Sequence, residues 1–191
     1  MILGAAAILV LVIRFIPYEH RMPNFVPVGA LFLFAGARLK PGPLWLLPFG
    51  LLAGIDLYFL GVNNWDPSPF TYLSYALYLV LGWSLLRQSE SPVRIGGVPV
   101  VGSIVFFLLT NFGVWLQHVI KPELFVGAPF QFPASFGGLM NCYEVALPFY
   151  RGTIIADLVF TAAFFTAHAL FARVYFPAER VLPATSTEVQ S

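Results

Sequence analysis

Charge is what this sequence has least of. Only 10% of its 191 residues are Asp, Glu, Lys or Arg, where soluble domains carry about 25%. That is too little polar surface to coat a globule of this size, and a mean hydropathy of +0.81 agrees. The chain therefore reads as an integral membrane protein with a single domain. A net charge of +1 offers no basic footprint, so a nucleic-acid partner is excluded. Cysteine is nearly missing: Cys142 stands alone, which rules out an internal disulfide and any all-cysteine metal site. Short alternating segments are absent, which argues against a β-barrel. There is no phosphate-binding P-loop, no Gly-rich dinucleotide turn and no H-E-x-x-H metal spacing. His20, His118 and His168 fall in different segments or loops. No Ser-His-Asp or Cys-His arrangement is visible, and neither Lys40 nor Lys121 lies within a span where it could hold a retinal. The expectation is a protein that is not an enzyme, has no resident cofactor or metal, and cannot hydrolyse ATP by itself.

What the chain has in quantity is continuous apolar sequence. Six segments stand out, at residues 1–16, 24–39, 43–60, 70–86, 98–120 and 153–176. A spanning helix needs about 20 apolar residues. The predicted fold is all-α: a polytopic bundle of about six transmembrane helices over residues 1–176, followed by a polar tail at 177–191. The first two segments are short and could instead form a hairpin that does not fully cross. Residues 1–16 lack the basic n-region and small-residue cleavage site of an ordinary signal peptide. The sixteen prolines and sixteen glycines sit mostly at segment ends, where helices start, stop or kink.

Lys and Arg in the loops set the orientation. In a six-span serpentine one side carries Arg38, Lys40, Arg87, Arg94, Arg173 and Arg180, the other Arg14, Arg21, Lys121 and Arg151. The bias puts both termini in the cytoplasm of a cell with this protein in its inner membrane. Arg14 and Arg21 pull the other way.

In that serpentine the scarce polar residues gather on the outer side. Arg14 ends segment one and Asn24 opens segment two. Asp56 lies about 6 Å, at the helical rise, from the outer end of segment three. Asn111, Trp115 and His118 occupy the outer half of segment five, and Asp157 lies about one turn inside segment six. Residues 121–152 form the longest loop, holding Asn141, Cys142, Tyr143, Glu144 and Arg151. Loops of that length serve as lids, binding loops or tethers. An ionisable residue within a span costs about 2.5–3.5 kcal/mol at the centre, so Asp56 and Asp157 need partners, with Arg14 the obvious cation. The functional reading is an outward-facing pocket. The alternative is a structural ion pair, or carboxylates that reach interfacial water.

Weaker features remain. Gly50-Leu-Leu-Ala-Gly54 lets another helix come close, more often within a fold than between partners. Gly4 to Ala7 give segment one a small-residue surface. Trp65, Trp83 and Trp115 suit a membrane-interface belt.

Several strings together resemble a known family. They are Asn24-Phe-Val-Pro-Val-Gly-Ala-Leu-Phe-Leu-Phe-Ala-Gly-Ala37, Asp56-Leu-Tyr, Thr110-Asn-Phe-Gly-Val-Trp115, Cys142-Tyr143 followed by Leu147-Pro-Phe149, and Asp157-Leu. The chain resembles small bacterial integral-membrane proteins grouped as candidate transporters of unassigned function. More loosely, it is similar to the substrate-binding (S) components of energy-coupling-factor vitamin transporters. That likeness implies six helices, cytoplasmic termini, an outward pocket under loops, and docking of the first helix on energy-coupling membrane and ATPase subunits. The segment at Gly4 to Ala7 does not reproduce the regular small-x-x-x-small pattern of such docking.

The expected function is membrane transport in the manner of an S component, with a small organic nutrient bound by Arg14, Asn24, Asp56, Asn111, Trp115, Tyr143 and Asp157. Asparagines would fix hydrogen bonds, Trp115 and Tyr143 would stack on the ligand, Arg14 would meet an anionic group, and the stretch around Cys142 to Phe149 would be the lid. The ligand stays open among several vitamins, a corrin with Cys142 or His118 on its cobalt included. Two rivals stand beside this. One is a non-transporting accessory subunit of a larger membrane complex, since twenty phenylalanines suit burial among other helices. The other is a lipid-modifying enzyme with Asp56 or Asp157 as base.

Overall fold

The structure, a computed structural model, describes residues 2–63, 68–87, 89 and 91–175. The expected polar tail, Arg180 and Trp65 lie outside the described residues. Within them the chain is helical and holds no strand. Six helices follow one another: α1 (Ile2–Phe15), α2 (Val28–Arg38), α3 (Leu46–Asn63), α4 (Pro69–Leu81), α5 (Pro92–Ile120) and α6 (Phe136–Tyr175). A π-helical turn, Gly82–Leu86, prolongs α4. Pro69 and Pro92 open their helices, where the missing N–H would have had no partner in any case.

Four stretches are long and apolar enough to cross a membrane: Pro43–Val62, Pro69–Leu86, Pro92–Ile120 and Phe136–Tyr175. Helices α1 and α2 are apolar but shorter. At 1.5 Å per residue they reach about 21 and 17 Å, against a hydrocarbon core of about 30 Å.

Helix α2 is the centre of the fold. Every residue from Val28 to Ala37 is buried, as expected of a helix that is apolar all round. Its contact with α4 is backbone against backbone. A Cβ on Gly36 would strike the carbonyl of Leu79, and one on Gly82 would strike that of Leu33. Phe32 packs on Phe49 of α3 and Tyr75 of α4, and Phe34 packs on Phe164 and Phe165 of α6. At its far end Arg38 donates from Nη1 to the Arg87 carbonyl, 3.2 Å away. The Gly50–Gly54 pair, by contrast, is not used for packing among the described residues: none of them lies within 4 Å of a Cβ built on either.

These contacts set the depth of α2. Gly29 in its first turn lies against Tyr78 and Asp157, halfway along α4 and α6. The chain before it, residues 21–27, is not helical and passes from the surface at Asn24 to a fully buried Pro27. The Pro23 carbonyl packs on Gly152, the Phe25 ring meets Phe160, and Pro27 is fully buried. Buried irregular backbone must still satisfy its polar groups. Pro23 and Pro27 have no N–H, while those of Phe25 and Val26 donate to the carbonyls of Met22 and Asn24. Asn24 makes the bend at φ 56°, a left-handed conformation that asparagine tolerates better than most residues.

One expectation is overturned. Residues 121–152 are not a long loop. Helix α6 begins at Phe136 and continues for 40 residues, about 60 Å. Cys142, Tyr143, Glu144 and Arg151 are helical, so the stretch from Cys142 to Phe149 is no lid. Pro148 and Gly152 read as breakers, but membrane-type helices accommodate proline, and Gly152 is the point where the Pro23 carbonyl packs. The connection that remains, 121–135, contains a short 3-10 turn at Pro122–Phe125.

Cys142 is buried against α5, its thiol donating to the Asn111 carbonyl at 3.4 Å. Maleimide labelling of the folded protein should therefore be slow at Cys142 and fast at a cysteine placed two residues earlier, in a Met140→Cys, Cys142→Ser variant. Equal rates would mean that this part of α6 opens as a loop.

Candidate functional site

Helix α4 carries Tyr72, Tyr75 and Tyr78 at spacings of three residues, and the two membrane aspartates come to it from opposite sides. Tyr72 donates its hydroxyl to Asp56 Oδ2 on α3 at 2.9 Å. Tyr78 donates its hydroxyl to Asp157 Oδ2 on α6. Asp56 is 5% exposed, Asp157 2% and Tyr78 1%. Tyr75 lies between the two pairs, within electrostatic reach of Asp157, Arg14 and Asp56. Arg14 does not pair with either aspartate. Its guanidinium lies over the Phe59 ring, 5.4 Å from the centroid. The expected ion pair is thus replaced by a tyrosine hydroxyl at each carboxyl and a ring face at the arginine.

The Asp157–Tyr78 pair is held on every side. A Cβ on Gly29 would overlap Asp157 Oδ1, and one on Gly102 of α5 would come within 2.8 Å of the Tyr78 ring. Thus α2, α4 and α6 meet at the carboxyl, and α5 backs the tyrosine that holds it. Helix α2 starts here with no side-chain cap of its own, and its first turn lies against the carboxyl at Gly29. Such a position is worth about 0.3–1 kcal/mol to a negative charge, up to about 2 kcal/mol when partly buried. A hydrogen bond to a charged group adds about 1.5–3 kcal/mol. Together these are comparable with the cost of a charged residue in a span. Among the described residues no cation pairs with the carboxyl.

Polar groups continue along α6. Tyr150 lies two turns before Asp157, 3.4 Å from the Ser103 hydroxyl of α5. Thr161 follows one turn after it, fully buried, with no hydrogen-bond partner for Oγ1 among the described residues. Beyond Thr161 the seam turns aromatic with Phe164 and Phe165 against Phe34, then ends at His168, also on Phe34.

The other expected site residues lie elsewhere. Asn111 donates to the Phe107 carbonyl at 2.8 Å and Tyr143 to the Leu108 carbonyl at 2.9 Å. The Tyr143 bond pins α6 to α5, while the Asn111 bond stays within α5. Trp115 donates to the Pro133 carbonyl at 3.0 Å. It lines an open recess of about 370 Å³ with Ala134, Ser135, Phe136 and Leu139. Asn24 belongs to the irregular entry to α2. The structure therefore joins Asp56 and Asp157 through α4. It leaves Asn111, Trp115 and Tyr143 along the α5–α6 seam, Asn111 lying about 14 Å along α5 from Gly102 at the helical rise. His118, between Phe125 and Phe132, belongs to that second region.

Sequence reading missed Tyr72, Tyr78, Thr161, Gly29 and Gly102. The signal for the tyrosines was present: three hydroxyl-bearing rings at i, i+3 and i+6, away from the ends of an apolar segment, mark one helix face.

Fold and site together define the class: an all-helical protein with four helices fit to cross a membrane and a buried pair of carboxyls held by tyrosines. The chain belongs to a family of unknown function, DUF6580, which it matches over residues 1–182. Neither a curated protein nor a solved structure matches it.

Gly29→Ala tests the packing at the site. Asp157 is held by Tyr78, and the Tyr78 ring is backed by Gly102, so the helices themselves must separate. The expected loss is about 1–3 kcal/mol, the usual cost of overpacking, read as a lower melting temperature in detergent. Gly54→Ala, which meets nothing, should melt like the parent. Similar melting of both variants would show that Asp157 does not lie against α2.

Proposed function

We propose that this protein is a membrane transport protein that binds a small organic solute and carries it across a bilayer. The observation behind the reading is the start of α2. A short helix, buried on all sides, begins halfway along its neighbours beside a buried carboxyl. Carriers make use of that combination: a helix that begins at mid-depth after irregular backbone, with polar groups at its end. Stability alone gives little reason to keep two aspartates so deeply buried within apolar helices, where such residues usually mark a path for substrate or ions. The recess at Trp115 supplies a concave, mainly apolar surface of a size that suits a small molecule. Solute would be met there, with Trp115 stacking on its flat or apolar part, and the tyrosine–aspartate pairs would respond deeper in the bundle.

The likeness to S components fits this reading, with the inner membrane as location and docking of partner subunits on the exposed Gly4 and Ala5 of α1. A second reading, an accessory subunit of a larger membrane complex, draws on the outward-facing Gly50 and Gly54 of α3, which another helix could approach closely.

Native mass spectrometry of the protein extracted gently from its own membranes separates the two. A bound small molecule of defined mass supports transport and supplies the solute for uptake assays. A ligand-free chain locked in a large stoichiometric assembly supports the accessory role. With the solute in hand, Asp157→Asn should lower uptake on the order of tenfold, within the range of coupling between sites in one protein, at unchanged expression. Asp56→Asn should lower it less. Uptake at the parental rate in both variants would refute the transport role of the aspartates.

A further inference from the structure

The aspartate at the start of α2 has a property that solute binding does not use. Its Oδ2 takes the Tyr78 hydroxyl, and its Oδ1 faces Gly29, where even a methyl group would not fit. Organic solute cannot reach it in this conformation. A bare ionic charge there is balanced only by a phenol and a helix end. One turn further along α6, the Thr161 hydroxyl is fully buried and without a partner among the described residues. The groups around Asp157 that titrate or carry charge are Tyr78 and Tyr75 of α4 and Tyr150 of α6, with Arg14 of α1 and Asp56 of α3 acting on Tyr75. Helix α2 faces the carboxyl with Gly29, and α5 backs Tyr78 with Gly102. Among the described residues no lysine, arginine or histidine is shown in contact with it.

We propose that Asp157 is a proton-binding site within the bundle, flanked on one side by the hydroxyls of Tyr150 and Ser103 and closed from the His168 end by Phe34, Phe164 and Phe165. A proton is the cation that fits, because it needs no coordination shell and the packing leaves no room for one. The exchange is simple. One proton from water adds to Asp157 Oδ1 and later returns to water, while the Tyr78 O–H bond stays intact. Tyr150 and Ser103, 3.4 Å apart, supply hydroxyls on the other side. Thr161 is the next hydroxyl on the closed side, and the three phenylalanines separate it from His168. A carrier that loads an ion in one conformation and releases it in another makes use of such an enclosed site. The inference rests on the transport reading for its use, and it goes beyond that reading: it puts an energy-coupling ion inside this chain, where the likeness to S components would leave energy to partner subunits.

Infrared difference spectroscopy of the purified full-length protein in lipid bilayers, with the buffer pH stepped, tests it. The parent should show the carbonyl stretch of a buried protonated carboxylic acid, shifted in heavy water and responding to pH. The band should vanish in Asp157→Asn and persist in Asp56→Asn. Where Asp157→Asn does not fold, Tyr78→Phe serves instead: it should keep the band but shift it, because the hydrogen bond is lost. Absence of the band at every pH at which the protein stays folded would overturn the proposal. So would its persistence in Asp157→Asn, an unshifted band in Tyr78→Phe, or removal by added Na⁺ at fixed pH, which would make this an alkali-cation site. Solute uptake is read separately in proteoliposomes. If uptake is absent while the band behaves as expected, the transport reading falls and the proton site stands.

Discussion

A carboxyl group in the middle of an apolar helix is expensive, and the way this fold meets that cost organises the rest of it. Asp157 receives the Tyr78 hydroxyl and the first turn of α2. For that turn to be there, α2 must begin at mid-depth, so it can be only about half the length of a span. The chain before it must then enter the bundle as irregular backbone. Two prolines that carry no N–H, and short-range bonds from Phe25 and Val26, make that entry possible. Gly29 and Gly102 are required because the pair leaves no space for a side chain on either side. Without the aspartate, none of these features has an evident purpose.

Around that centre the packing is aromatic and close. Phe32 and Phe34 of α2 reach α3, α4 and α6 through ring contacts, while Gly36 and Gly82 let α2 and α4 touch along their backbones. Lipid is as apolar as these side chains, so close van der Waals contact and satisfied polar groups, more than burial from water, must hold such helices together. The α5–α6 seam follows the same logic with different groups. Cys142 and Tyr143 of α6 donate to carbonyls of α5 there, giving a polar pinning at the end of the molecule where the Trp115 recess opens.

The helical class, the apolar segments and the shortness of the first two were legible because composition and run length report directly on burial. So was the need of Asp56 and Asp157 for partners, since charge in a span is costly. The identity of their partners was not legible. Arg14 looked like the natural counter-ion, but a tyrosine on α4 is nearer to each carboxyl, and only three-dimensional register shows which helix faces which. The continuation of α6 through Pro148 was hidden by residues that break helices in water and are tolerated in membrane-type helices. A pocket uniting Asn111, Trp115 and Tyr143 with the aspartates depended on a serpentine of six equal spans. That picture had no place for a half-length α2 or a 40-residue α6.

The central claim is that Asp157 and Tyr78 act as one unit at the start of α2. A double-mutant cycle on unfolding free energy in detergent, using Asp157→Asn, Tyr78→Phe and the double variant, measures that directly. The account predicts a coupling of about 1–3 kcal/mol, in the range found for residues that share a hydrogen bond. Additive losses, with coupling near zero, would contradict it and leave the two side chains as independent neighbours.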